Sequence, residues 1–338
     1  MKKVYFIIVF ILVILILLTS GFFYWFKKES QPVSSTFEKV SFLVENGASA
    51  TEVGELLFRK NLIRNRLVFK LYLHVLDKTK NINAGEFELS PSMSLPEIIS
   101  AFGGGPKEIW VLIPEGLRKE EVVEKIIQSL EIADVKANDF RNEFLALSET
   151  SEGYLFPDTY LFPREVSAAD AYEKLRSTFD DKFESNIGTL LKESKYSKKE
   201  IVIMASILER ETKSFEERPI VAGILWKRIE NGWPLQVDAG VQYAVANSKI
   251  KTQSLKSFNW WPILTLDDLN IDSPYNTYKY KGLPPAPISN PGLSSLKSAV
   301  SSEGSDYWFY IHSPDGTVHY AKTAAEHAIN VQKYLGKK

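Results

Sequence analysis

Two glutamates, Glu209 and Glu211, close the run SKKEIVIMASILERET (197–212), and their setting is the first place where chemistry can be read. Ser197 followed three residues later by Glu200 has the S-x-x-E spacing of a capping box, so a helix should open there. Between Ile201 and Leu208 a single polar side chain, Ser206, interrupts the apolar residues. Such a helix belongs inside a domain rather than on its surface. At about 100° per residue, Glu211 continues the stripe of Met204, Ile207 and Leu208, whereas Glu209 lies about 200° away with Val202, Ala205 and Ser206. A carboxyl on a buried stripe at the negative end of a helix dipole is pushed toward its protonated form. That is the state a general acid needs near neutral pH. Spacing alone leaves a second reading open, in which the last turn is wet and both glutamates pair with Arg210 or Lys213 in solvent.

Other chemistries find less support. His312, His319 and His327 are close in sequence, but their spacing is not H-E-x-x-H and no acidic set accompanies them, which argues against a metal. There is no G-x-S-x-G for a nucleophilic serine and no G-x-G-x-x-G for a dinucleotide. Gly103 to Gly105 lack the Lys and Ser/Thr of a phosphate loop and, with Pro106, read as a flexible joint. No cofactor is expected. Zero cysteines exclude disulfides, thiolate metal sites and a lipidated cysteine. With 41 Lys+Arg against 42 Asp+Glu the net charge is −1, which gives no sign of a nucleic-acid surface. Residues 307–312 and 317–321, joined by Ser-Pro-Asp-Gly, read as a β-hairpin rather than as part of a site. Gln236, Asp238, Gln242, Tyr243, Trp260, Trp261, Tyr275, Asn276, Tyr278 and Tyr280 supply the flat faces and fixed polar groups that a sugar pocket uses.

The elements that must position these residues can be placed in outline. A length of 338 residues suggests about two domains. Residues 4–26 form an apolar run broken only by Thr19, Ser20 and Gly21 and flanked by Lys2, Lys3, Lys27 and Lys28. As a helix it spans roughly 30 Å of hydrocarbon, and it lacks the small-residue cleavage site of a signal peptide. A single membrane anchor is therefore expected, with a short tail inside and the rest exported. ESQPVSS (29–35) reads as a juxtamembrane linker reaching about 25 Å at most. Laying residues 40–57 over 109–126 reveals a faint repeat, each copy a strand, a Gly turn and an amphipathic helix. From about residue 151 the chain turns aromatic and proline-rich, and a helical stretch then runs to about residue 195. The expected fold is α+β: anchor (1–28), linker (29–36), a small strand-helix domain (37–105) and a mixed α/β domain (106–338) closed by the hairpin.

The segments IPEG (113–116), EGYLFPDTY (152–160), MASILERET (204–212), LQVDAGVQY (235–243), SPYNTYKYKGLPPAPISNPG (273–292) and SLKSA (295–299) carry a resemblance. In this order, and over nearly the whole chain, they are similar to the membrane-anchored endolytic murein transglycosylase family, MltG or YceG-like. The resemblance implies that Glu211, the second acid of the E-x-E-T string, is catalytic. It implies a LysM-like character for the first repeat, peptidoglycan strands as substrate, cleavage to 1,6-anhydro ends, and a place beside peptidoglycan synthases at the bacterial cytoplasmic membrane, setting glycan length. Departures are Leu208-Glu209-Arg210 where the family more often has I-E-K, and Tyr154 where it has Trp. Glu209, Gln236, Asp238, Tyr275 and Asn276 are candidates for holding the sugar or orienting Glu211, joined by Glu152 and Asp158 of the EGYLFPDTY segment. Two other readings remain at this point: a muramidase with Asp158 or Asp238 as second carboxylate, and a non-catalytic wall-binding scaffold.

Overall fold

The computed structural model describes residues 2–45, 47–75, 82–103, 105, 107–250 and 258–336. The chain divides into two compact units, residues 1–110 with 161–165, and residues 111–160 with 166–338. Gly104 and Pro106, part of the expected joint, lie outside the described residues.

The first unit opens with α1 (Lys2–Glu29), whose segment Phe10–Glu29 is long and apolar enough to cross a bilayer. The residues after it, read from the sequence as a juxtamembrane linker, are held by several hydrogen bonds. Arg64 Nε donates to Pro32 O at 2.9 Å, Leu95 N to Ser30 O at 2.9 Å, and Ser34 N to Pro91 O at 3.0 Å. Backbone carbonyls near a helix end need partners, and a guanidinium fork supplies several at once. The segment is therefore pinned to the globular part.

Next come β1 (Val40–Val44), α2 (Ala50–Arg59), α3 (Arg66–Val75), β2 (Gly85–Leu89) and α4 (Leu95–Gly103). Strands β1 and β2 pair antiparallel with Phe42 opposite Phe87. Alternation sends Phe42, Val44, Phe87 and Leu89 inward. There they meet Leu57, Phe69, Ile98 and Phe102, with Phe87 edge-on to Phe102 at 4.8 Å. The sheet continues through β3 (Glu108–Leu112) and β4 (Thr159–Pro163) in the order β1-β2-β3-β4.

The second unit holds α5 (Lys119–Ser129), α6 (Asp134–Leu147), α7 (Ala168–Glu193), α8 (Lys198–Glu211), α9 (Arg218–Glu230), α10 (Asp238–Lys249), α11 (Leu293–Val300), β5 (Phe309–His312), β6 (Val318–Ala321) and α12 (Ala324–Tyr334). The faint repeat is visible locally. After β1 comes Gly47 (φ +82°) and after β3 comes Gly116 (φ +78°), left-handed positions that favour glycine. Each is followed by a helix whose third residue, Glu52 or Glu121, accepts the cap N–H of Ser49 or Arg118. The likeness ends there, since α3 and β2 follow α2 whereas α6 follows α5.

Helix α8 is the axle of this unit. Every residue from Ile201 to Leu208 is buried. Its neighbours in the core include Phe179 and Phe183 of α7, Leu225 and Trp226 of α9, and Leu296 and Ala299 of α11. The β-branched run Ile201-Val202-Ile203 is a modest helix former, so packing on all sides together with the Ser197–Glu200 capping box holds it helical.

Candidate active site

Helix α8 stops at Glu211 because Thr212 turns extended (φ −113°, ψ 144°), its N–H and its hydroxyl both donating to Leu208 O, at 3.1 Å and 2.6 Å. Ser206, the lone polar residue of the buried stretch, pins a second chain segment to the helix. Its hydroxyl accepts from Ile288 N at 3.1 Å and its carbonyl accepts from Ser289 Oγ at 3.1 Å. That docking brings Gly292 N to Glu209 Oε2 at 2.8 Å, while Arg218 Nη2 donates to Glu209 Oε1 at 2.8 Å. Both side chains of this ion pair are nearly inaccessible, at 7% and 5%. Glu209 is thus an anchored carboxylate that fixes the end of α8.

Glu211 faces different partners, as the helical projection requires. Its Oε1 accepts from Ala239 N, in the first turn of α10, at 3.3 Å, and its Oε2 accepts from Tyr310 Oη of β5 at 3.1 Å. The carboxyl therefore lies between the negative end of α8 and the positive end of α10. Burial is the largest influence and pushes its pKa up to about 7; the Ala239 and Tyr310 donors oppose this, Asp238 adds to it, and Arg228 opposes it. The residue as a whole is partly buried, and both carboxylate oxygens are engaged by these two donors. Arg210, between the two glutamates, pairs with neither and stacks over Trp261 at 3.8 Å. The wet-turn reading, with both acids paired to Arg210 or Lys213, is replaced by these contacts.

The hairpin needs correction too. Expected to lie outside the site, β5 supplies Tyr310 to Glu211, and two residues on, His312 Nε2 lies 2.9 Å from Glu217 Oε2. Sequence reasoning missed both, together with the Ala239 N–H. The alternation of Tyr310 and His312 on one strand face was the available signal.

The loop carrying YNTY is laced to the start of α10. Thr277 accepts from Gln236 N through its carbonyl at 3.1 Å, Val237 N donates to Thr277 Oγ1 at 3.0 Å, and Tyr278 Oη donates to Asp238 Oδ1 at 2.7 Å. Gln236, at φ +53°, and Asp238 are exposed beside Glu211's donor. Tyr275 is half-buried, its ring 4.7 Å from that of Tyr243, and its carbonyl leaves no room for a Cβ on Gly240.

Residues 42–333 match the model of the YceG-like family. The chain belongs to that family. It is 28% identical over 323 residues to an endolytic murein transglycosylase of Bacillus subtilis, covering 88% of this chain and 86% of that protein. It is 25% identical to the endolytic murein transglycosylase of Streptococcus pneumoniae D39, covering 91% of this chain but 60% of that one. The crystal structure of a yceG-like protein from Listeria monocytogenes shares 30% identity, covers 87% of this chain and 99% of that one, and superposes with a TM-score of 0.54.

Against this YceG-like background the remaining sites sort themselves. Glu115 of IPEG stands beside Glu209, and its carboxyl is raised by burial and by that neighbour. Asn276 is fully buried, donates to Leu269 O and Ile271 O, both at 2.9 Å, and accepts from Tyr278 N, so it shapes the loop from within. Glu152 joins a separate cluster with Lys119 N, Asn290, Glu120 and Arg118; burial and Glu120 push it up to about 8. Asp158 is well exposed and faces Lys182 of α7. Neither Glu152 nor Asp158 contacts Glu211. Tyr243 and Trp260 are buried, with Arg118 over both rings, while Tyr154 packs edge-on to Phe179. Of the sugar-type set, Gln236, Asp238 and Tyr280 are exposed, and Trp261, Tyr275 and Tyr278 are half-buried.

Proposed function

We propose that this chain is a membrane-anchored lytic transglycosylase acting on peptidoglycan, with Glu211 as its single acid and base. One observation carries the reading: a carboxyl raised to about 7 by burial and held by the Ala239 N–H and the Tyr310 hydroxyl. Protonated Glu211 gives its proton to the oxygen linking C1 of an N-acetylmuramic acid to the next N-acetylglucosamine. The C1–O bond breaks through an oxocarbenium-like state. The carboxylate so formed is stabilised by its two donors and by the positive end of α10. It then removes the proton of the muramic 6-hydroxyl as that oxygen bonds to C1, closing the 1,6-anhydro ring. No water is consumed, and the nucleophile is already tethered to the reacting centre. Asp238, Gln236, Tyr275 and Tyr278, gathered at the start of α10 whose Ala239 N–H meets this carboxyl, would contact the sugar, and Glu209 holds the helix end that carries it.

The strand-helix-helix-strand order of the first unit supports a LysM-like, glycan-holding role. A groove of about 620 Å³ between β1 and α2, lined by Val44, Gly47, Glu52, Leu56 and Lys60, suits such a strand. With α1 as a single-pass anchor and the remainder outside, the enzyme would meet nascent strands beside their synthases and end their growth.

The test is to incubate the full-length protein with uncrosslinked glycan and weigh the product ends. Ends lighter by one water than reducing ends support transglycosylation, and intact reducing ends would establish the muramidase instead. Glu211→Gln should abolish release while leaving the fold intact; an active Glu211→Gln protein would reject the assignment.

A further inference from the structure

Helix α3 carries two parallel stripes. Leu67, Leu71 and Val75 recur at every fourth residue, one face of the helix, and are 61%, 40% and 80% exposed. Arg66, Lys70 and His74 form an exposed basic stripe beside them. An apolar face flanked by basic residues is the pattern of a helix lying in a membrane interface.

The contacts of α1 fix where this helix sits relative to the anchor. Just before α3 begins, Arg64 binds Pro32 O, past the end of α1. Two turns later Tyr72 stacks on Phe26, within the last turns of α1, with ring centroids 5.8 Å apart and planes 8° apart. Contact thus moves from residue 32 back to residue 26 as α3 advances, so α3 runs down toward the apolar segment, antiparallel to α1. Val75, three residues beyond Tyr72, lies about 4.5 Å further along that direction. Lys27 and Lys28, on the last turn of α1, lie within about 3 Å of the Phe26 level on the side away from the apolar segment, where lysines reach the headgroups.

We propose that α3 is a second membrane contact: Leu71 and Val75, with Leu67 at the rim, insert into the acyl boundary of the leaflet from which α1 emerges, and Lys70 and His74 face its phosphate headgroups. The first unit then lies against the bilayer instead of swinging on a tether. This inference rests on α1 being a membrane anchor.

The chain has no cysteine, so single-cysteine variants accept one spin label at a known place. Leu67→Cys, Leu71→Cys, Val75→Cys, a mid-anchor control Ile14→Cys and a surface control Lys136→Cys would be reconstituted full-length into vesicles of phosphatidylglycerol and phosphatidylethanolamine. Electron paramagnetic resonance then measures collision of each label with oxygen, which concentrates in lipid, and with a water-soluble nickel chelate. The expected result is an oxygen-to-nickel ratio at residues 71 and 75 between those of the two controls. A ratio equal to that at Lys136→Cys overturns the proposal. So does shielding from both reagents, which would mean that protein, a second copy or a partner, covers the face. If Ile14→Cys itself reads as water, the anchor reading fails, a result distinguishable from either.

Discussion

Removing the charge of Glu211 should make the protein inactive and, above neutral pH, more stable. Its carboxyl rises from the ordinary 4.5 to about 7 on folding, with burial the main cause. At about 1.4 kcal/mol per pH unit, that difference is about 3 kcal/mol. The sign follows from proton linkage. Below pH 4.5 the group is protonated in both states and contributes nothing. Between 4.5 and 7 the unfolded chain releases its proton while the folded one retains it, so unfolding becomes progressively easier; above 7 the full cost is present. Glutamine imitates the neutral acid at every pH, and its carbonyl still accepts one of the two donors. Glu211→Gln should therefore match the wild type near pH 4 and exceed it at pH 8 by up to about 3 kcal/mol, roughly 6–12 °C in Tm for a unit of this size. The assay is thermal unfolding of both full-length proteins in detergent across that range, alongside glycan release, which in the wild type should decline above about pH 7 as the acid ionises. A stability difference that does not vary with pH would refute the premise that folding suppresses ionisation at this site.

Three further outcomes are expected. Glu209→Ala leaves Arg218 buried without its carboxylate and should cost about 3–5 kcal/mol, seen as a lowered Tm. Tyr310→Phe removes a donor to the Glu211 carboxylate, so the decline in cleavage rate should move to higher pH; His312→Leu, which frees the same strand from Glu217, should do likewise. A double-mutant cycle checks whether these two effects are coupled, and full additivity would show that His312 does not act through Tyr310. In Gly240→Ala the new Cβ would sit 2.5 Å from the Tyr275 carbonyl, displacing the start of α10; kcat should fall at least about tenfold while KM, measured in the same titration, changes less.

The sequence by itself determined what is local and periodic. The capping box at Ser197, the apolar run through Leu208 and the angular separation of Glu209 from Glu211 specify a buried helix whose last turn presents two acids to two environments. A 3.6-residue period and the cost of burying a charge suffice for that. The apolar run of α1 was legible for the same reason, as was the strand, glycine and helix order shared by residues 40–57 and 109–126. The surroundings of Glu211 were not legible. Ala239 contributes through a backbone N–H, which every non-proline residue has, so no side-chain pattern can announce it. Tyr310 lies 99 residues further along the chain, in a hairpin whose local pattern describes only a hairpin. Asn276 and Trp260 resembled ligand contacts by type, yet burial gave them to the loop and the core. Arg64 showed nothing of its hold on the juxtamembrane segment. Residue type and spacing select an element and its buried face, but which carboxylate stays neutral depends on desolvation and on donors arriving from distant segments, and only the packed tertiary structure brings those within 3–4 Å.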